Sequence, residues 1–146
     1  LLDGLHRDPG EGEHARLTPA IHRIFGAPSV EEILERLDKE QGQDEAWAKS
    51  TAAEIRKKSP TSLKVAFAQM RLGKTLTLAE ALRLEFRLSS QIVASPDYHE
   101  GITARIAGKG AAPRWQPATL SEVDDAEIER LFATAPEREL QLAERQ

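Results

Sequence analysis

The stretch SPDYHEG at residues 95–101 brings two carboxylates and an imidazole within four positions. Such side chains act as general acids, general bases or metal ligands when they converge on one point. Here the Ser-Pro pair supplies an N-cap and a first helical residue, so Asp97 falls in the first turn, where a carboxylate interacts favourably with the helix dipole. His99 and Glu100 are neighbours in such a helix and point about 100° apart, so they cannot coordinate the same metal ion. The pattern favours a helix start over a catalytic cluster or a metal site.

Glu85 is a second candidate, because its carboxylate is expected on or beside the apolar face of a helix. The apolar stripe of this helix consists of residues at helical spacing: Leu78, Ala81, Leu82, Leu88 and Ile92. Glu85 occupies the position in this stripe where an apolar residue is missing. A buried carboxylate needs a partner, so Glu85 is predicted to be a structural acid held by a cation or several donors on a neighbouring helix. Arg87 is the nearest charged residue in the same motif. The alternative is a catalytic acid, although no second carboxylate or nucleophile lies close in the sequence.

Two residues of the stretch GKGAAPRWQP could contact a ligand. Lys109 lies between Gly108 and Gly110, as a cation in a phosphate-binding turn would, but the Gly-x-x-x-x-Gly-Lys-Ser/Thr pattern is missing. A solvated turn is therefore favoured over an anion site. Trp115 lies between two prolines, and packing of this loop onto a helix is favoured over stacking on a ligand.

The elements that must position these residues are all predicted to be helices. Ser-Pro and Thr-Pro starts and capping boxes open them, and apolar residues recur at helical spacing. Thr18 is the predicted N-cap of the first helix. We expect a loop or linker over residues 1–17, a helical region over 18–132 and a charged, frayed tail over 133–146. The predicted class of the chain is all-α.

Composition excludes several classes of function. The chain has 146 residues, of which 20 are Lys or Arg and 24 are Asp or Glu, and no basic block suggests binding to nucleic acid. It has no cysteine, which excludes disulfides, thiolate zinc sites and cysteine nucleophiles. No apolar stretch approaches the roughly 20 residues that span a bilayer. Because the sequence starts with Leu1 instead of methionine, we expect it to be the downstream part of a longer polypeptide.

Four segments of the sequence together resemble a known family. SPTSLK, TLAEALRLEFRLS, DYHEGITARI and KGAAPRWQPATLSEV are similar, in this order, to the C-terminal region of the 3-hydroxyisobutyryl-coenzyme A (CoA) hydrolases, members of the crotonase (enoyl-CoA hydratase/isomerase) superfamily. The resemblance runs from about Ile21 to Phe132. The Glu-Phe-Arg triplet at 85–87, followed by Glu100-Gly101, resembles the last two helices of the superfamily. The Pro-x-Trp-x-Pro-Ala-Thr-Leu extension at 113–120 is similar to that of the hydrolase branch and not to the hydratases.

This resemblance implies the fold and the chemistry. It identifies the chain as the C-terminal helical portion of a crotonase-like α/β fold, whose β spiral lies upstream and is absent here. In such enzymes, two backbone N–H groups stabilise the thioester oxyanion and acidic side chains transfer protons. The resemblance places those groups upstream, so it implies no catalytic residue and no metal ligand in this chain. Glu85, Arg87, Glu100, Gly101 and Trp115 are implied to be structural.

The resemblance also implies a function. The chain is expected to be part of an acyl-CoA thioester hydrolase of valine catabolism, supplying a lid, CoA contacts and an oligomer surface, and to be inactive alone. Its implied partners are the acyl-CoA substrate, the upstream core of the enzyme and further copies of itself, in the cytoplasm or, in a eukaryote, the mitochondrial matrix. A hydratase or isomerase and a non-catalytic helical interaction module remain alternatives.

Lys109 is the one implied ligand contact. In crotonase relatives a lysine near this point approaches the CoA phosphates, and the hydrolase-type spacing places it at Lys109. The sequence departs from the family pattern here, since Gly-Lys-Gly replaces Asp-Lys-Asp, and Thr103 stands where the family has arginine. CoA enters as part of the substrate, and no covalently bound cofactor is implied.

Overall fold

The protein is described by a computed structural model over residues 12–106, 112–133 and 139–142. Seven α-helices lie within these residues, linked by short 3-10 turns at Gly42–Asp44, Gly73–Thr75 and Leu120–Glu122. The helices are α1 (Glu13–Phe25), α2 (Val30–Lys39), α3 (Glu45–Arg56), α4 (Pro60–Leu72), α5 (Leu78–Val93), α6 (Pro96–Ile106) and α7 (Asp125–Ala133). Contacts divide the chain into two compact units, Leu1–Ala53 and Glu54–Gln146.

In the first unit, α1 packs against α2. The buried apolar side chains of this unit recur at helical spacing and are all small or aliphatic: Leu17, Ala20, Ile24, Ala27, Val30, Ile33, Leu37, Ala48 and Ala52. Two ion pairs add to this packing. Arg16 Nη1 lies 2.6 Å from Asp44 Oδ1, and Arg23 Nη2 lies 2.8 Å from Glu40 Oε2.

The first helix begins earlier than the sequence predicted. Thr18 was expected to be its N-cap, but α1 starts at Glu13 and contains Pro19. The helix extends because Leu17 is buried in phase with the rest of the apolar stripe, so the added turn covers the core. Thr18 Oγ1 donates to the carbonyl of His14 at 2.9 Å, one turn earlier.

The second unit has its own apolar core. Five side chains are buried there together: Val65 of α4, Leu84 and Leu88 of α5, Ile128 of α7, and Val123. Further aliphatic and aromatic side chains pack around them. Helix α5 contacts both α6 and α7, and α4 contacts α7. Burying these five side chains stabilises the unit, since each contributes about 1.5–3 kcal/mol.

Local capping chemistry determines where the helices of the second unit begin. Ser59 Oγ accepts from Ser62 N at 3.2 Å and starts α4, and Thr77 with Glu80 forms the predicted capping box of α5. Ser95 Oγ accepts from Tyr98 N at 3.3 Å, so the stretch at 95–101 is the start of α6, as predicted. Among the described residues, no helix is long and apolar enough to cross a membrane.

Candidate functional site

Asp97 is the most buried charged residue of α6, and it holds three separate parts of the second unit together. Its side chain accepts from Ser59 Oγ at 2.5 Å and from Gln116 N at 2.8 Å, and only 8% of the residue is exposed. Because Ser59 also caps α4, Asp97 connects the starts of α4 and α6 to the segment after residue 111. Sequence reasoning placed Asp97 in the first turn but gave no indication of these distant partners.

Glu100 holds the same segment one turn further along α6. Its Oε1 accepts from Arg114 N at 2.8 Å and lies 3.9 Å from Arg114 Nε. Asp97 and Glu100 therefore bind the backbone N–H groups of alternate residues, as a neighbouring strand would. We call residues 113–119 the strap, since these two carboxylates fix it across α6.

Trp115 lies between the two clamped residues, and its ring packs against α6. Its Nε1 donates to the carbonyl of Lys57 at 3.0 Å. A Cβ placed on Gly101 would lie 3.1 Å from Trp115 Cη2, closer than ordinary van der Waals contact. Gly101 thus allows the indole ring to lie against the backbone of α6.

The strap ends in another carboxylate interaction. Glu122 Oε2 accepts from Ala118 N and Thr119 N, both at 3.0 Å, and so caps the short turn at Leu120–Glu122. The peptide bond between Gln116 and Pro117 is cis. Carboxylate side chains thus accept from four backbone N–H groups of the strap, those of Arg114, Gln116, Ala118 and Thr119.

An open groove of about 460 Å³ lies beside the strap. Its lining is mostly apolar and includes Ile92, Tyr98, Ile102, Ile106 and Trp115. Two cations, Lys58 and Arg105, also line it. A groove of this volume and composition can receive an apolar group attached to an anionic one.

The described side chains in and around this groove do not form a cluster of metal ligands. In residues 12–106, 112–133 and 139–142, no three His, Asp or Glu side chains are arranged to hold a metal ion. His99 packs its ring edgewise against Tyr98, with centroids 6.0 Å apart, while Glu100 binds the strap. The adjacent histidine and glutamate therefore have separate contacts. Lys109, the predicted ligand contact, lies outside the described residues.

Glu85 is exposed, so its predicted burial is wrong. The buried face of α5 carries Leu84 and Leu88, whereas Leu78 and Leu82 are 76% and 41% exposed. Leucines occur on both sides of this helix, and its periodicity alone does not decide which set faces the core. Packing against Ile128 selects the Leu84–Leu88 side and leaves Glu85 in solvent. Replacement of Glu85 should accordingly have little effect on stability.

Arg87 pairs with Glu139 instead of with Glu85. Arg87 Nε donates to Glu139 Oε2 at 2.9 Å, and Nη2 donates to the same oxygen. The hydrogen bond from Arg87 holds the pKa of Glu139 below its usual range and raises the pKa of Arg87. The two residues are 52 positions apart, so no local pattern could have indicated this pair.

Residues 2–132 match the sequence model of the enoyl-CoA hydratase/isomerase family. The mitochondrial 3-hydroxyisobutyryl-CoA hydrolase of Danio rerio is 39% identical over 125 residues, which cover 86% of this chain and 32% of that protein. The small ribosomal subunit protein mS47 of Neurospora crassa is 38% identical over 111 residues, or 71% of this chain and 22% of that protein. The chain thus spans less than a third of the length of these relatives.

A solved structure shows that the similarity extends to the three-dimensional fold. The carnitinyl-CoA dehydratase of Mycobacterium thermoresistibile superposes with a TM-score of 0.81 and 29% sequence identity. The match covers 92% of this chain and 38% of the dehydratase.

These similarities correct the fold class predicted from the sequence. An all-α class was predicted for the chain, as the C-terminal helical portion of a crotonase-like α/β fold whose β spiral lies upstream. The described residues form helices, and the family match and the superposition assign them to the crotonase fold that the resemblance implied. The class of the chain is therefore that of the crotonase fold, and the all-α class is wrong. Helical periodicity indicates which side of each element is apolar, whereas fold class depends on what those sides pack against.

Proposed function

Because this chain belongs to the enoyl-CoA hydratase/isomerase family, we propose that it is part of an acyl-CoA thioester hydrolase acting on 3-hydroxyisobutyryl-CoA or a close analogue. The observation that carries this proposal is the strap. Its Pro-x-Trp-x-Pro sequence resembles that of the hydrolase branch, and it is fixed beside the groove by Asp97, Glu100 and Lys57. The similarity to the hydrolase of Danio rerio supports the same substrate.

In this proposal the chain binds and covers the substrate, and the described residues supply no catalytic group. The groove receives part of the acyl-CoA, and Lys109 contacts its phosphates. Apolar side chains that are exposed outside the groove, such as Met70 and Leu78, pack against the rest of the enzyme or against another copy of it. No metal and no bound cofactor take part, since CoA is a portion of the substrate.

The proposed pathway is valine catabolism. The proposed site of action is the mitochondrial matrix for a eukaryotic source, as the name of the Danio rerio hydrolase suggests, and the cytoplasm otherwise. A hydratase or dehydratase activity is the enzymatic alternative, and the likeness to the carnitinyl-CoA dehydratase favours it.

A non-catalytic interaction module is the alternative of a different class. The similarity to mS47, which is named as a protein of the small ribosomal subunit, favours it. Such a module would keep the strap and the helix packing and would need no phosphate contact at Lys109. The hydrolase proposal therefore predicts that replacement of Lys109 weakens binding of the substrate, whereas the interaction module predicts no such effect.

Replacement of Lys109 by alanine is expected to raise the KM for acyl-CoA by roughly tenfold while kcat changes little, because a contact to a non-reacting phosphate is equally strong in the ground and transition states. The measurement uses a chimera of the Danio rerio hydrolase in which the aligned region is replaced by this chain. The effect should diminish as salt is added.

The control substrate is a truncated thioester that lacks the nucleotide. Its KM should be unaffected by Lys109→Ala. Lys74→Ala, which removes another exposed lysine, controls for net charge. Equal KM changes for both substrates, or for both lysines, would contradict the phosphate contact.

A further inference from the structure

Arg83 and Arg87 are one helical turn apart and so share one face of α5, and Arg87 binds the carboxylate of Glu139. Arg87 donates to it through Nε at 2.9 Å and through Nη2. Hydrogen bonding from Arg87, with smaller contributions from the Leu140 N–H and from the charge of Arg83, lowers the pKa of Glu139. One face of α5 thus carries two cations, of which Arg87 is paired directly with the carboxylate of Glu139.

Glu139 uses only part of the donor capacity of these arginines. Arg87 donates through Nε and Nη2 to Oε2 alone, while Oε1 accepts from the backbone N–H of Leu140 at 3.2 Å. An arginine binds a carboxylate or a phosphate best when two of its N–H groups meet two different oxygens. A phosphate group has enough oxygens to form that pair with Arg87 and still interact with Arg83.

We propose that Arg83 and Arg87 form a binding site for a phosphate group, and that Glu139 occupies this site as an internal competitor. Glu139 competes because the chain itself holds it near the arginines at a high effective concentration. Side chains of Arg87 and Glu139 are about one-third exposed, so an anion from solvent can reach them. This site is separate from the groove and does not depend on the proposed hydrolase activity.

In the test, the full chain is titrated with inorganic phosphate at constant ionic strength, and binding is measured by calorimetry. Glu139→Gln removes the competitor, and we expect it to bind phosphate roughly tenfold more tightly than the unmodified chain, because a tethered competitor acts at millimolar effective concentration. Glu129→Gln is the matched control. Glu129 is an exposed glutamate of α7, so its replacement makes the same change in net charge. Far-UV circular dichroism verifies that both variants keep the helical content of the unmodified chain.

Adding Arg87→Gln to the Glu139→Gln chain should abolish the gain in affinity. The same titrations are repeated with adenosine diphosphate, in which the phosphate is part of an ester. If the site prefers free phosphate, inorganic phosphate binds more tightly, and if it prefers a phosphate ester, adenosine diphosphate does. Equal phosphate affinity of Glu139→Gln and Glu129→Gln would overturn the proposal. A folded Glu139→Gln chain that binds neither ligand would also overturn it.

Discussion

Replacement of Asp97 by alanine is expected to lower the free energy of unfolding by about 3 kcal/mol, since hydrogen bonds to a charged group contribute about 1.5–3 kcal/mol each. Asp97 is buried and accepts from both Ser59 Oγ and Gln116 N. Alanine leaves both donors without this acceptor, and the strap loses one of its attachments to α6. Asn retains one acceptor oxygen, so Asp97→Asn should have an intermediate effect.

Asp125→Ala is the matched control for this prediction. Asp125 is also an aspartate in the first turn of its helix, but its side chain is 84% exposed and pairs with Lys64 at the surface. Its replacement should cost no more than about 1 kcal/mol, as is usual for exposed ion pairs. Urea unfolding can be monitored through Trp115 in a Trp47→Phe background, because the chain has two tryptophans. Equal losses for the two aspartates would show that Asp97 acts only on the helix dipole.

Replacement of Gly101 by alanine is expected to destabilise the chain when Trp115 is present and to stabilise it when Trp115 is replaced by alanine. In the unmodified chain the new Cβ lies 3.1 Å from the indole ring, which its hydrogen bond to Lys57 holds in place. We expect a loss of about 1–2 kcal/mol, the usual cost of forcing an extra carbon into a packed site. With Trp115→Ala the contact disappears, and Gly101→Ala should instead stabilise α6 by roughly 0.5–1 kcal/mol through its higher helix propensity.

A double-mutant cycle measures this coupling directly. The four chains are unfolded in urea and followed by far-UV circular dichroism. Trp115→Phe provides a further comparison, because it keeps an aromatic ring but removes the donor to Lys57. A Gly101→Ala effect of the same sign and size in both backgrounds would mean that the indole does not require glycine at this position.

The helix starts could be predicted because capping is local. Ser59, Thr77 and Ser95 each accept from a backbone N–H three residues later, so a few adjacent residue types contain the whole signal. Apolar spacing likewise located the helices themselves. The same reasoning missed the early start of α1, since the buried Leu17 outweighs the cap expected at Thr18.

The tertiary contacts of the site could not be predicted, because they join residues far apart in the chain. Asp97 binds Ser59 from 38 positions away, and Arg87 binds Glu139 from 52. The exposure of Glu85 was missed for a related reason. Which side of α5 is buried depends on α7, and the pattern of α5 contains no information about that partner.

The measurement that tests the central proposal most directly is thioesterase activity of the chimera described for Lys109. The chimera joins this chain to the remaining part of the Danio rerio hydrolase and is assayed with 3-hydroxyisobutyryl-CoA, after circular dichroism and size-exclusion chromatography have established that it is folded. The isolated chain is assayed in parallel. If the chain is a hydrolase segment, the chimera should turn over within about tenfold of the unmodified enzyme, about 1.4 kcal/mol in activation free energy. The isolated chain should be inactive. A folded chimera without thioesterase activity would contradict the proposal and favour the interaction module.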